Sequence, residues 1–349
     1  MKRVGFIYEK ICEIDNIKLA LHNASRGKTR KRSVKKILDN EEYYVNEIHK
    51  MLKNKTFTPS KYFESTIVDG LTKKQRVIHK PKFYPDQIVH WALILKIKDL
   101  IMRGMYKWSC ASIPNRGTHY AKDRTQKWLR EDKKGTKWCL KLDIKKYYPN
   151  INKELLKTKF ERIIKCRDTL DLINLIIDSH DKGLPIGNYT SQWFANFNLQ
   201  DVDHYVKETL KIPYYIRYMD DLVLLHRNKK ELRKAFNSLS EMLNSMGLEI
   251  KGNYQLFNID KRSLDFVGFV MNHNKTFIRK RITKRARRKA LRFPKNMALK
   301  EAHALTSYYG WYLHSDSHPL NLMYYKGITN NIKEIIANES RKKLNNVYS

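Results

Sequence analysis

Acid is what this chain has least of. Against 70 Lys and Arg it sets only 35 Asp and Glu, a formal net charge of +35 over 349 residues. That surplus excludes an ordinary neutral metabolic enzyme. It points to a polyanionic partner, nucleic acid or an anionic membrane surface, because each cation beside a phosphate releases condensed counterions; a merely soluble, very basic chain is the plainer alternative. Long apolar runs are also missing. The best, Trp91 to Leu95 and Leu222 to Leu225, stop at charged or polar residues, well short of the roughly 18 needed to span a bilayer. The first ten residues, from Met1 to Lys10, lack the apolar stretch of a secretory signal, so a cytoplasmic protein without membrane contact is expected. Cys12, Cys110, Cys139 and Cys166 are too scattered for a zinc site and read as isolated reduced thiols. What the chain does have is core material: 42% hydrophobic and 11% aromatic residues exclude disorder and suggest two or three lobes.

Residues 1 to about 60 carry helical spacing, with Ile14, Ile17, Leu19 and Leu21, a basic break from Arg26 to Arg32, then Val34, Ile37 and Leu38. Strand-like composition follows in Ser65 to Val68 and Arg76 to Ile78 around a turn at Asp69-Gly70, and Asp86 to Leu100 returns to a helical pattern. No repeat or low-complexity linker interrupts the rest. In Trp138 to Ile144, alternation places Trp138, Leu140 and Leu142 on one face and Cys139, Lys141 and Asp143 on the other. Tyr214 to Tyr218 and Leu222 to Leu225 read as two strands, with Met219-Asp220-Asp221 at the bend. This hairpin presents two carboxylates. Gly183, Pro185 and Gly187 constrain a loop that feeds a helical pattern from Ser191. Beyond Phe277 the chain is helical and strongly basic, dense in Arg and Lys from Arg279 to Arg292. Its only acids there are Glu301, Asp316, Glu334 and Glu339, which excludes a nuclease module with its own carboxylate cluster.

Carboxylates at a strand end and a tight turn repel the phosphates that so basic a chain is built to hold. Divalent cations resolve the conflict: two Mg²⁺ ions about 3.5–4 Å apart bridge carboxylates to a triphosphate. Taken alone, Asp220-Asp221 reads more readily as an ordinary surface turn than as a metal site.

Tyr218-Met219-Asp220-Asp221, preceded by Leu142-Asp143-Ile144-Lys145-Lys146-Tyr147-Tyr148-Pro149 and by Gly183 to Gln192, resembles the ordered motif set of a reverse transcriptase. Lys74 to Ile78, Pro81, Asp86 to His90 and Leu264 to Phe269 extend the match. The resemblance implies an α+β right-hand polymerase: a helical extension over 1–60, fingers over 61–135, a palm over 136–275 with an inserted fingers segment at about 150–182, and a basic helical thumb over 276–349. It also implies RNA-directed DNA synthesis from dNTPs on template RNA and primer, with two Mg²⁺ ions as cofactors. Asp143, Asp220 and Asp221 become the catalytic and metal-binding residues, with the backbone carbonyl of Ile144 completing the coordination. Tyr148 takes the place of a steric gate against a ribose 2′-hydroxyl, or packs as an aromatic at the strand end. Arg76 and Lys74 fall where cations clamp the triphosphate, with a solvated hairpin as the competing reading. Ile186, Gly187 and Gln192 line the nucleotide, while Tyr218, Met219, Phe266, Gly268, Arg285 and Arg288 contact primer and template. Lys251 reads as a proton donor to pyrophosphate or as a surface lysine.

Many reverse transcriptases have Gln-Gly and Ser-Pro where this chain has Ile186-Gly187 and Ser191-Gln192. That departure resembles the enzymes of diversity-generating retroelements, whose cDNA carries errors at adenines and diversifies a target gene. Their partners include a structured template RNA and a small basic accessory protein. Gln87 stands where an arginine is usual, so no charged contact carries over to it. A bacterial antiviral-defence reverse transcriptase and a catalytically silent RNA-binding scaffold are the alternatives.

Overall fold

The computed structural model describes residues 3–68, 75–291, 299–317, 334, 335 and 337. The Asp69-Gly70 turn, Lys74 and Arg292 lie outside the described residues.

Four helices open the chain: α1 (Tyr8–Cys12), α2 (Ile14–Ser25), α3 (Arg32–Leu38) and α4 (Glu41–Lys53). In α2 the buried Ile17, Ala20, Leu21 and Ala24 recur at helical spacing, while Leu19 stays half exposed. Then come the antiparallel hairpin β1 (Phe63–Val68) and β2 (Gln75–Lys80), and, after a π-helical turn at Phe83–Gln87, α5 (Ile88–Arg103). That helix is apolar nearly all round and is buried as a central rod. The α1–α2 helices pack on it, and the Asn16 amide donates to the Ala92 and Ile11 carbonyls at 3.1 Å each, satisfying a polar group inside the core.

The remaining elements are β3 (Ser109–Cys110), α6 (Thr118–Glu131), β4 (Trp138–Asp143), α7 (Tyr147–Asn150), α8 (Lys153–Glu161), α9 (Arg167–Asp178), α10 (Tyr189–Asn198), α11 (Gln200–His204), β5 (Tyr214–Tyr218), β6 (Asp221–His226), α12 (Lys229–Ser245), β7 (Gln255–Asn258), β8 (Leu264–Phe266), β9 (Phe269–Met271), β10 (Thr276–Ile278), α13 (Lys280–Leu291) and α14 (Leu299–Leu313). A five-stranded sheet runs in the order β3-β5-β6-β4-β7, antiparallel except for the β3–β5 pair. A smaller sheet runs β10-β9-β8.

The large sheet has a core on each face. Leu140, Leu142, Leu222 and Leu224 join the N-terminal helices and α5, whereas Cys139, Ile216, Val223 and Leu225 join α6, the small sheet, α13 and α14. Period-two alternation therefore sorts residues between two interiors, not between inside and water. The sheet is held rigid from both sides, which fixes what stands at its ends.

Candidate active site

The ends of β4, β5 and β6 meet at one point. Asp143 closes β4 and lies opposite Asp221, the first residue of β6, while Asp221 also pairs with Tyr218 at the end of β5. Only Met219 and Asp220 make the reversal, and Met219 takes a left-handed backbone with φ 55°. For a non-glycine residue that conformation is costly, and it persists where surrounding contacts impose it. Here the Ile144 N–H donates to the Asp220 carbonyl at 3.2 Å, the Met219 N–H to the Cys110 carbonyl at 3.4 Å, and the Arg217 guanidinium to the Met219 carbonyl at 3.0 Å.

Arg217 is fully buried, as is its ion-pair partner Asp203. It donates to Asp203 Oδ1 at 2.7 Å and Oδ2 at 2.6 Å, to Ser109 Oγ at 2.7 Å and to Asn196 Oδ1 at 3.2 Å, and the Tyr215 hydroxyl donates to Asp203 at 2.7 Å. Two strands, β3 and β5, and two helices, α10 and α11, are thus tied to the carboxylate turn. Sequence reasoning missed Arg217, Asp203 and Asn196. The available signal was an arginine inside an otherwise apolar strand, since such a cation is buried only when fully paired.

Lysines hold two of the three aspartates. Lys251 pairs with Asp143 through its side chain, and its N–H donates to the Asp143 carbonyl at 2.8 Å. Lys141 pairs with Asp221 at 3.2 Å and donates to the Asp265 carbonyl at 2.8 Å. Burial pushes the Asp221 carboxyl up to about 6 against the opposing charge of Lys141, and burial with the charge of Asp143 raises Asp220. Asp221 Oδ1 is buried without a hydrogen-bond partner. With Asp143 and Asp221 turned toward lysines, no three His, Cys, Asp or Glu side chains among the described residues form a ready-made metal cluster. The donors are nonetheless all oxygen, which suits a hard divalent cation, and the orphaned Asp221 oxygen leaves one ligand unspent.

Tyr148 packs beside the turn, its hydroxyl 3.6 Å from Met219 Sδ. Burial raises its pKa, Asp220 adds to the rise, and the charge of Arg76 on the β1–β2 hairpin opposes it. Arg76, exposed on β2, acts on Asp220 in the same direction. The loop from Gly183 to Asn188 is wedged between these parts. The Leu184 N–H donates to the Tyr148 carbonyl at 2.9 Å and the His79 N–H to the Ile186 carbonyl at 2.9 Å. A Cβ on Gly187, at φ 141°, would collide with the His79 carbonyl. Gly187 therefore serves the contact with β2, Ile186 is half-buried, and Gln192 is exposed on α10. Gln87 supplies no charge itself but accepts a 2.6 Å hydrogen bond from Lys28, a cation brought by the N-terminal region.

Two of the expected primer contacts belong to the second core. Phe266 is wholly buried there and supports the β8–β9 hairpin from within; Gly268, at φ 92°, makes room for the Trp311 ring on α14. Tyr312 is likewise a core residue. On α13, Ile282, Ala286 and Ala290 face the core, leaving Arg288 exposed and Arg285 half exposed. Tyr218 is half-buried and Met219 buried.

A family model shows where the chain belongs. The model for Reverse transcriptase (RNA-dependent DNA polymerase) matches residues 69–271. Over 136 residues the sequence is 26% identical to the Retron Ec73 reverse transcriptase of Escherichia coli, covering 35% of this chain and 43% of that one. Among solved structures, the chain is similar to apo telomerase from Candida tropicalis truncated from its C-terminal domain, with TM-score 0.49, 15% identity and coverage of 66% of this chain and 58% of that one. Telomerase from Candida albicans in complex with a TWJ fragment of telomeric RNA gives TM-score 0.48, 14% identity and coverage of 86% and 61%. The chain thus spans less than half of its curated relative and about three-fifths of these telomerase chains.

Proposed function

Because the chain belongs to the reverse transcriptase family, its α+β architecture is the right-hand polymerase fold, and we propose that it extends a DNA primer along template RNA. The observation that carries this reading is the meeting of Asp143, Asp220 and Asp221 at the end of a sheet braced on both faces. We assign residues 61–135 to fingers, 136–275 to palm with the inserted segment 150–182, and 276–349 to thumb, after a helical extension over 1–60.

Asp143, Asp220, Asp221 and the Ile144 carbonyl are the groups that would hold Mg²⁺. Bound there, the ions supply Lewis-acid activation of the primer 3′-hydroxyl and charge stabilisation for the leaving pyrophosphate. Arg76, carried by the β1–β2 hairpin, orients the triphosphate. Tyr148, pinned by Met219 and by the Gly183–Leu184 backbone, presents a ring that excludes a 2′-hydroxyl. Arg285 and Arg288 on α13 engage the phosphates of the template–primer. Lys251 and Lys141 neutralise the carboxylates until substrate and cation replace them.

The Ile186-Gly187 motif supports a diversity-generating role with errors at adenines, served by a structured template RNA and a small basic accessory protein. A retron-type enzyme is the second reading, favoured by the similarity to the Ec73 protein. Primer extension with Mg²⁺, RNA template and DNA primer, beside Asp220→Asn/Asp221→Asn, tests the activity. Extension that survives in the variant would sink the assignment. Product sequences with errors clustered opposite adenines favour the first role, and an even error spectrum favours the second.

A further inference from the structure

One edge of the five-stranded sheet is β7, and between it and α12 lies a cavity of about 610 Å³. Its floor is aromatic. Phe236 and Tyr254 stack with ring centroids 4.1 Å apart and planes at 26°, and Tyr254, 44% exposed, lines the cavity. Its rim is cationic and polar: Lys229, Arg233 and Asn237 follow one another at intervals of four on α12, which sets them about 6 Å apart along one face. Arg233 and Asn237 are exposed, and Lys229 is held 4.9 Å from the Trp138 ring centroid. Among the described residues no acidic side chain pairs with Lys229 or Arg233, although Lys234 on the next position is paired with Glu231.

We propose that this groove is a second nucleic-acid site, binding a single-stranded RNA segment outside the catalytic cleft. One base stacks on Tyr254, successive phosphates meet Lys229 and Arg233, and Asn237 hydrogen-bonds a base edge. A flat aromatic face beside regularly spaced cations is the combination by which single strands are held without a duplex. An acidic peptide would use the cations but not the ring face. The groove also begins one residue from the site: Gly252 lines it, and Lys251 holds Asp143. RNA bound here is therefore kept beside the point of synthesis while being distinct from the strand copied. The elements involved carry none of the catalytic aspartates, so the inference stands whether or not the polymerase reading does.

The test uses the full chain with its cleft saturated by an RNA-template/DNA-primer hairpin, and measures binding of a labelled 12-nucleotide oligouridylate by fluorescence anisotropy. Tyr254→Ala should weaken binding about tenfold. Arg233→Gln should flatten the dependence of log Kd on log salt by about 0.7, the contribution of one phosphate contact on a single strand. Extension of a short primer should be unchanged in both. Arg233 is exposed, so its variant decides the matter even if Tyr254→Ala perturbs folding. The proposal is overturned if Arg233→Gln leaves affinity and salt slope as in the parent. It is also overturned if a polyglutamate peptide binds the loaded protein in an Arg233-dependent way while the oligouridylate does not, which would make the groove a protein site.

Discussion

Asp220 is a carboxylate held out of water beside another carboxylate, an arrangement that favours the neutral acid. On the proposed reading its place in the turn serves chemistry, not stability. Asp220→Asn is expected to reduce primer extension at least about a hundredfold, since each tenfold in rate is about 1.4 kcal/mol and cation-borne charge stabilisation is worth several. The metal-free protein's thermal midpoint should be equal or higher. A fall in the midpoint would make Asp220 a structural residue. Arg217 is the opposite case. Its removal leaves Asp203 charged and buried, so Arg217→Met should destabilise the fold by about 3–5 kcal/mol in urea unfolding. The double variant Arg217→Met/Asp203→Leu should recover much of that loss while leaving Met219 without its guanidinium contact. Recovered stability with depressed extension would separate positioning of the turn from upkeep of the core.

At the scale of elements, two features are open to test. The loop after α9 meets β2 through Gly187, whose φ and proximity to the His79 carbonyl both exclude a side chain. Gly187→Ala should cost about 1–3 kcal/mol and loosen the hairpin that carries Arg76, raising the KM for dNTP more than it lowers kcat. Within α5, burial alone lowers the His90 pKa from 6.5 to about 3. A histidine whose folded pKa is depressed has no effect above its unfolded pKa and weakens the fold as pH falls below it, because the unfolded chain gains the proton first. Between pH 7 and pH 5 this amounts to about 2 kcal/mol, so urea unfolding of His90→Phe should lose that much less over the same interval. The elements themselves were legible in the sequence where periodicity was strong: the α2 helix, the alternation of β4 and the carboxylate hairpin at Tyr218–Asp221 stand where residue spacing put them, although Ile14 and Leu19 of the α2 stripe face solvent. Motif order also identified the fold. What spacing could not reveal was long-range pairing. Arg217 finds Asp203 through tertiary packing, Lys141 reaches both Asp221 and Asp265, and Phe266 turns inward because a second core lies beneath it. The partners leave no local pattern; only the arginine within an apolar strand signals that one of these pairings is needed.

The whole molecule carries its +35 charge unevenly, with α13 presenting Arg281, Lys284, Arg287, Arg288 and Lys289 around a narrow apolar stripe of Ile282, Ala286 and Ala290. Arg288→Glu should weaken template–primer binding at low salt and reduce the salt slope by about 1, read by anisotropy titrations across a salt series. An unchanged slope would remove this helix from the nucleic-acid surface. The sheet between two cores has a consequence for how the chain comes apart. Its second face is roofed by the β8–β10 sheet, α13 and α14, so a chain cut after residue 260 would bare Cys139, Ile216, Val223 and Leu225 along the very strands that end in the aspartates. The β8–β10 sheet, α13 and α14 are thus a lid on the five-stranded sheet's own interior, and truncation or proteolytic nicking there should yield insoluble or aggregating fragments in place of a smaller protein that merely grips its substrate less well.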